Sequence, residues 1–286
     1  MRYSAPATIE EAVQLLAGEK GLARVLAGGT DLLVQMRSGR IEPDLVVDVK
    51  RIERMRAITA ESGGFRIGAA VSGAELGQHE ALKAAWPGVV EAARLIGSTQ
   101  VQGRATMIGN LCNASPAADS VPALIAADAV VRIVGPSRRR EVPVVEIQVS
   151  PGKTSLARDE IIESVFLPAR PARAADAYLR FIPRTEMDIA VVGCGVSLVL
   201  DDAGKVKDAR VGLGAVAPRT LLVKEAAAAI IGTSLDDAAL AKLAAAASAA
   251  CQPIDDKRGT REFRVKVAGV LARRAAMKAL ERAKGK

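Results

Sequence analysis

The sequence predicts an α+β fold built from more than one unit, and three observations carry that expectation. Near the N-terminus a strand-like run, a glycine turn and a short apolar helix lead into a second strand-like run, a βαβ-like pattern. A stretch rich in proline and arginine, Pro168-Ala169-Arg170-Pro171-Ala172-Arg173, interrupts the middle of the chain and reads as a linker. Beyond it, two long β-compatible runs precede three alanine-rich helical segments. At 286 residues the chain can form one large or two moderate domains with a real core.

Thr8 and Glu11 stand as a capping-box pair opening a helix that carries Ile9, Ala12, Val13 and Leu16 and ends at Gly18 and Gly21. Residues 24–27 read as a strand, Gly28 and Gly29 as a turn, and 32–37 as a short helix with Thr30 or Asp31 at its N-cap. Residues 45–49 supply the second strand. Residues 65–69 form the next strand, and Pro87 starts a helix over 89–96. Pro122, placed as the first helical residue, opens a helix through Ala127. Strands follow at 129–134 and 161–167. After the linker, 190–200 and 206–216 make a hairpin around Asp201-Asp202-Ala203-Gly204. Helices come near 222–231, 236–250 and 263–283, the last with Phe263, Val267, Val270, Leu271, Met277 and Leu280 on one apolar stripe.

Composition narrows the function classes. Half the residues are hydrophobic but only 2% are aromatic, so aliphatic side chains and alanine must build the core. The formal charge of +8 suits an anionic ligand, an acidic partner or nucleic acid. The basic residues after Lys257 lack interleaved aromatics, which favours a solvated or subunit-facing helix over a nucleic-acid site. Cys112, Cys194 and Cys251 are far apart, with no metal-ligand spacing, and read as three buried thiols in a reducing cytoplasm; no metal site is expected. His79, the one histidine, reads as a surface residue. The N-terminal residues do not resemble a secretory signal, and the longest apolar run, 189–200, is too short to span a bilayer. A soluble cytoplasmic protein is expected.

Two glycine-bearing loops carry the chemistry: Ala27-Gly28-Gly29-Thr30-Asp31 and Thr106-Met107-Ile108-Gly109-Asn110. Glycine lets the backbone approach a ligand closely, and a turn feeding a helix N-terminus offers free N–H groups and positive dipole to an anion. Two such loops facing each other could hold a diphosphate on main-chain donors, which suggests a nucleotide cofactor. A third glycine motif, Gly212-Leu213-Gly214-Ala215-Val216-Ala217, matches the GxGxxA dinucleotide fingerprint. That fingerprint must open a helix, and Pro218 would fall inside it, so the run is read as a strand and a nicotinamide-binding Rossmann domain is rejected.

The first loop, continued as Leu32-Leu33-Val34-Gln35-Met36-Arg37, resembles the AGG[HT][ST]L loop of the FAD-binding subunits of molybdenum hydroxylases, such as those of carbon monoxide dehydrogenase and bacterial xanthine dehydrogenase. The second resembles their TIGGN loop and continues in kind through Leu111-Cys112-Asn113 to Asp119-Ser120-Val121-Pro122. Met187-Asp188-Ile189-Ala190-Val191-Val192 and the segment from Arg258 to Arg264 match further on, in order; structural roles are expected for these two.

The resemblance implies a two-subdomain FAD-binding domain of the PCMH (vanillyl-alcohol-oxidase-like) type at 1–170, with subdomains of about 1–55 and 56–170, and a small α+β C-terminal domain at 175–286. FAD contacts are expected from Val25, Leu26, Ala27, Gly28, Gly29, Thr30, Asp31 and Leu32 and from Thr106, Met107, Ile108, Gly109 and Asn110. Asn113, Asp119 and Ile162 join them, with Arg180, which replaces a lysine. A cation there would stabilise negative charge on reduced flavin. No catalytic residue is expected in this chain. The second loop departs from the pattern where β-branched Ile108 replaces a glycine, and it disfavours positive φ.

By the same resemblance, separate subunits would carry molybdopterin-bound molybdenum and the iron–sulfur clusters, in a dimer of heterotrimers. This chain would pass electrons from the iron–sulfur subunit to NAD or another acceptor. The rival readings are a flavin-free assembly subunit of the same fold, which Ile108 favours, and a basic nucleic-acid-binding protein.

Overall fold

The computed structural model describes residues 1–185 and 187–285. The N-terminal part alternates strand and helix: β1 (Arg2–Ser4), α1 (Ile9–Gly18), β2 (Ala23–Leu26), α2 (Leu32–Arg37) and β3 (Leu45–Asp48). Its strands form a parallel sheet in the order β1-β3-β2, with Leu45 facing Arg2 on one side and Ala23 on the other. The βαβ reading is therefore realised. Helix α1 buries Ile9, Ala12, Val13 and Leu16. Thr8 accepts from the Glu11 N–H, but the Glu11 carboxylate accepts from Ala7 N–H instead of closing the box on Thr8. Helix α2 buries no residue at all.

The middle of the chain forms an antiparallel sheet in the order β4-β5-β10-β6-β7. It comprises β4 (Ile58–Glu61), β5 (Gly64–Gly68), β6 (Val130–Val134), β7 (Arg139–Pro143) and β10 (Ile161–Leu167). A ribbon of β8 (Gln148–Ser150) and β9 (Lys153–Thr154) precedes β10. Between β5 and β6 lie α3 (Gly73–Gln78), α4 (Glu80–Ala85), α5 (Pro87–Arg94), α6 (Met107–Cys112) and α7 (Ser120–Ala126). Pro122 is the third residue of α7, not the first; its missing N–H costs nothing there, because the first-turn N–H groups have no intrahelical acceptor. His79 is half-buried, and its Nδ1 accepts from Leu82 N–H at the start of α4.

The C-terminal part is an antiparallel sheet of β11 (Ala174–Phe181), β12 (Val192–Leu200), β13 (Val206–Gly214) and β14 (Leu221–Leu222), followed by α8 (Lys224–Ala228), α9 (Asp237–Ala249) and α10 (Arg261–Lys284). Helix α10 packs on β11 and β12, while α5 and α7 pack against the same sheet. The GxGxxA run is a strand, and its glycines have a packing cause. A Cβ on Gly212 would overlap the Pro122 carbonyl oxygen, and one on Gly214 would lie 2.8 Å from Pro122 Cγ. The glycines seat α7 against the sheet.

Two expectations are corrected by packing. On α10 the buried face is Ala268, Gly269, Ala272, Ala275, Ala276, Ala279 and Ala283 with Leu271, whereas Phe263, Val270 and Met277 are exposed. Small side chains let the helix lie close to its neighbours: a Cβ on Gly269 would come within 2.9 Å of the Ala244 carbonyl oxygen on α9. The segment 168–173 is a connection, but not a loose one. Arg170 lies 3.8 Å above the Trp86 ring and 3.0 Å from Asp176, whose other oxygen accepts from Val89 N–H at 3.0 Å.

Candidate functional site

The first loop leaves the end of β2 and turns through Gly29, whose φ of +78° is open to glycine and strained for other residues. Gly28 is required for a different reason, since its Cβ would overlap the Arg104 carbonyl oxygen just before the second loop. The two loops thus touch backbone to backbone. Lys50 steadies the arrangement: its Nζ donates to the Ala27 carbonyl at 3.0 Å and pairs with Asp48 at 2.7 Å. Among the described residues the main-chain N–H groups of Gly28, Gly29, Thr30 and Asp31 have no acceptor. Asp31 takes the N-cap position of α2, one of the two expected, but its side chain makes no capping hydrogen bond. All four donors remain available to an anion.

The second loop opens α6. Thr106 is its N-cap, the hydroxyl accepting from Gly109 N–H at 2.9 Å. Ile108 occupies the second helical position with ordinary right-handed backbone, so the family glycine is not needed there for a positive φ. The main-chain N–H of Ile108 is again free among the described residues, whereas that of Met107 faces Val71 across the antiparallel bridge between Ser72 and Thr106. Asn110 Oδ1 accepts from both the N–H and the hydroxyl of Ser120, at 3.1 and 2.7 Å, which turns its amide NH₂ away from α7.

Between the loops lies a cleft of about 540 Å³. That is within the range of small-molecule and cofactor sites, roughly 300–1,000 Å³. Val25, Ala27, Gly28, Gly29, Thr30, Asp31 and Leu32 line one side, and Thr106, Ile108, Gly109, Asn110, Asn113 and Ile162 line the other. Leu26, Met107, Asp119 and Arg180 are not on its wall. Leu26 and Met107 are buried in the core, with their backbones in the loops.

Asp119 and Arg180 stand behind the wall as a buried pair at 2.8 Å. Arg180 also donates to the Leu95 carbonyl at 2.8 Å, and the Tyr178 hydroxyl donates to Asp119 at 3.1 Å. Burial pushes the Asp119 carboxyl up to about 6, against the opposing pull of Arg180 and Tyr178. Leu95 is the C-cap of α5 and the next residue, Ile96, is on the cleft wall. Arg180 therefore acts on the cleft through α5.

Other wall residues carry no motif: Ile96 after α5, Gly152 and Thr154 in the ribbon, and Leu156, Arg158 and Glu160 before β10. Glu160 is held by Arg140 at 2.7 Å, which draws its carboxyl down to about 2. Cys112, expected to be buried, is exposed on this wall; Cys194 is buried and Cys251 half-buried.

The residues present fit a dinucleotide. Free main-chain donors and the Asn110 amide suit a diphosphate, while Ile96, Ile108, Leu156 and Ile162 suit a flat apolar ring. Residues 1–170 match the family model described as the FAD binding domain in molybdopterin dehydrogenase. The chain belongs to this family. Residues 177–279 match the CO dehydrogenase flavoprotein C-terminal domain.

This FAD-binding subunit of the molybdenum-hydroxylase family is 32% identical to the carbon monoxide dehydrogenase medium chain of Afipia carboxidovorans, covering 99% of this chain and 97% of that one. Against the xanthine dehydrogenase FAD-binding subunit of Escherichia coli O157:H7 the identity is 30%, with the same coverage. A solved carbon monoxide dehydrogenase from Hydrogenophaga pseudoflava superposes with a TM-score of 0.94 at 33% identity, over 99% of this chain and 98% of that one.

Proposed function

We propose that this flavin subunit holds FAD noncovalently in the cleft between the two glycine loops, receives electrons from an iron–sulfur subunit and passes them to NAD or another acceptor. The observation that carries this is the set of free main-chain donors, Gly28–Asp31 on one loop and Ile108 on the other, on loops that touch at Gly28. These N–H groups would hold the diphosphate, with the Asn110 amide beside them, and Ile96, Ile108 and Ile162 would flank the ring. Bound FAD supplies a carrier that exchanges electrons singly or in pairs. The chain's own part is to bind it, keep water from the ring with apolar side chains, and hold α5 in place through Arg180.

Residues 1–170, with subdomains of about 1–55 and 56–170, form the flavin domain in this reading, and 175–286 the C-terminal domain that braces it. Molybdopterin-bound molybdenum and the iron–sulfur clusters reside on partner subunits, in a cytoplasmic dimer of heterotrimers whose large subunit selects the substrate. Ile108 no longer argues for a flavin-free assembly subunit, because its backbone is helical. The purified chain is expected to be yellow, and acid precipitation should release the flavin into the supernatant. Colourless protein would overturn the reading; flavin retained in the pellet would overturn its noncovalent part.

A further inference from the structure

The glycine turn is a place where the backbone needs restraint from outside. A Cβ at residue 28 would overlap the Arg104 carbonyl oxygen, so no side chain of its own can stiffen that position. Gly29 follows with a second glycine. The peptide between Ala27 and Gly28 is thus free to rotate as a unit, and nothing in its own residues fixes the direction of the Gly28 N–H. A trans peptide is planar, with its carbonyl and its N–H pointing in opposite directions. Whatever holds the Ala27 carbonyl therefore aims the Gly28 N–H.

That holder is Lys50. Strands β2 and β3 run parallel with Leu26 beside Asp48, so a residue just past β3 reaches the carbonyl just past β2. Val49, fully buried, anchors the single 3₁₀ turn Val49–Arg51 on which Lys50 stands. Lys50 Nζ donates to the Ala27 carbonyl oxygen at 3.0 Å and lies 2.7 Å from Asp48 Oδ1. The other Asp48 oxygen accepts from the Tyr3 hydroxyl at 2.7 Å. Burial opposes ionisation of Asp48, but donation from Lys50 and Tyr3 outweighs it and holds the carboxyl below its usual value. Gly28 lies on the walls of both the cleft and a hollow behind it, whereas Lys50 lines the hollow and not the cleft. A lysine holding the carbonyl from behind turns the N–H toward the cleft, where it has no acceptor among the described residues.

We propose that Lys50 is a positioning residue for the flavin: its ammonium locks the Ala27–Gly28 peptide with the N–H directed into the cleft for the diphosphate. The proposal rests on the flavin-binding reading above. The lock also strengthens the donor that it aims, because a cation on the carbonyl draws electron density from the N–H of the same peptide, and hydrogen bonds in series polarise one another. Tyr3, Asp48 and Lys50 form a chain that ends at the cleft, although none of the three lines its wall. An ordinary ion pair in this place would contribute to fold stability and leave FAD affinity untouched.

The test measures FAD dissociation constants on the full-length chain stripped of flavin, with circular dichroism beside them. Asp48→Asn/Lys50→Met removes the lock without leaving a buried carboxylate unpaired. It is expected to weaken FAD binding about tenfold or more while the spectrum stays native. Asp48→Asn alone loses the ion pair but keeps the Lys50 donor, so its affinity should stay within about threefold of wild type. Lys50→Arg, which can still donate, should do the same. In the FAD-loaded proteins, nuclear magnetic resonance is expected to show a slowly exchanging Gly28 amide in wild type and exchange about tenfold faster in the double variant. Lys50→Ala gives the same readouts should the double variant lose its native spectrum. Wild-type affinity or a slow Gly28 amide without the lysine overturns the lock and leaves the flavin site standing, as does an equal loss from Asp48→Asn. A wild-type chain that takes up no FAD overturns the site and the lock together.

Discussion

Gly28 and Gly29 are neighbours with different reasons to be glycine. Gly29 needs a positive φ, and its Cβ would also meet Leu26 and Leu33 at 2.9 and 3.1 Å. Gly28 needs the room that the Arg104 carbonyl occupies. Ile108, which replaces a family glycine, needs neither, being an N-terminal helical residue packed at 5% exposure. Gly29→Val is therefore expected to abolish flavin retention while the far-ultraviolet circular dichroism stays native. Ile108→Ala should keep the flavin and lose stability, about 2–5 kcal/mol as for other large-to-small core substitutions. Flavin-to-protein ratios and thermal melts on both proteins separate the cases. Equal loss of flavin from the two would mean that the Ile108 side chain on the cleft wall is as necessary to the flavin as the Gly29 turn.

Glu160 and Asp119 show opposite pH signs. Glu160 lies below its ordinary 4.5, at about 2, chiefly because the Arg140 side chain donates to it. The stability it contributes is present above about 4.5 and is lost as pH falls toward about 2. Asp119 is raised from 3.8 to about 6, so its contribution is largest at low pH and diminishes as pH rises through that window. Glu160→Gln should accordingly remove part of the steep acid limb between 4.5 and 2 in a plot of denaturation midpoint against pH. An unchanged limb would mean that the Arg140 pair does not persist in solution.

Helix α10 separates hydrophobicity from burial. Its exposed Phe263, Val270 and Met277 recur every seven residues, whereas the core face is alanine and glycine. Alanine there is a steric requirement: Ala276 is fully buried, so Ala276→Leu is expected to overpack the helix and cost about 1–3 kcal/mol. Met277→Lys, one residue away but half-exposed, should change stability by less than about 0.5 kcal/mol. Urea midpoints of the isolated chain check both. The reverse ranking would restore the stripe that the periodicity suggests. Helix α2 poses a related case, with Leu33 and Val34 exposed at 48 and 64%.

At the scale of the whole molecule, the C-terminal sheet braces the helices behind the cleft without lining it. Asp176 of β11 accepts from Val89 N–H at the start of α5, and Arg180 of the same strand holds the Leu95 carbonyl at its end. Glu91, midway, accepts from Lys278 and Arg282 of α10. Pro122 of α7 rests on Gly195, Gly212 and Gly214. A fragment of residues 1–170 would leave Arg170 and Asp119 without their partners and expose the packed faces of α5 and α7. It is expected to aggregate or to fold without flavin, as size-exclusion chromatography and absorbance would show. A monomeric yellow fragment would refute this dependence.

Much of the local structure was legible in the chain. The strand at 161–167 and the helix at 32–37 fall where the pattern places them, and the two glycine loops converge on one cleft. Glycine, proline and capping residues act on their own backbone, so their signals survive without knowledge of the fold. Four ordered motif segments likewise sufficed for the family. What tertiary structure alone decided are relations between residues far apart in sequence. These are the withdrawal of Asp119 and Arg180 behind the wall, the seating of Arg170 on Trp86, and the use of Gly212 and Gly214 as a bed for α7. The alanine core face of α10 and the cleft residues at 96 and 152–160 belong with them. The physical reason is common to all: burial, close approach and charge pairing are settled by which surfaces meet, and no residue's neighbours in the chain carry that information.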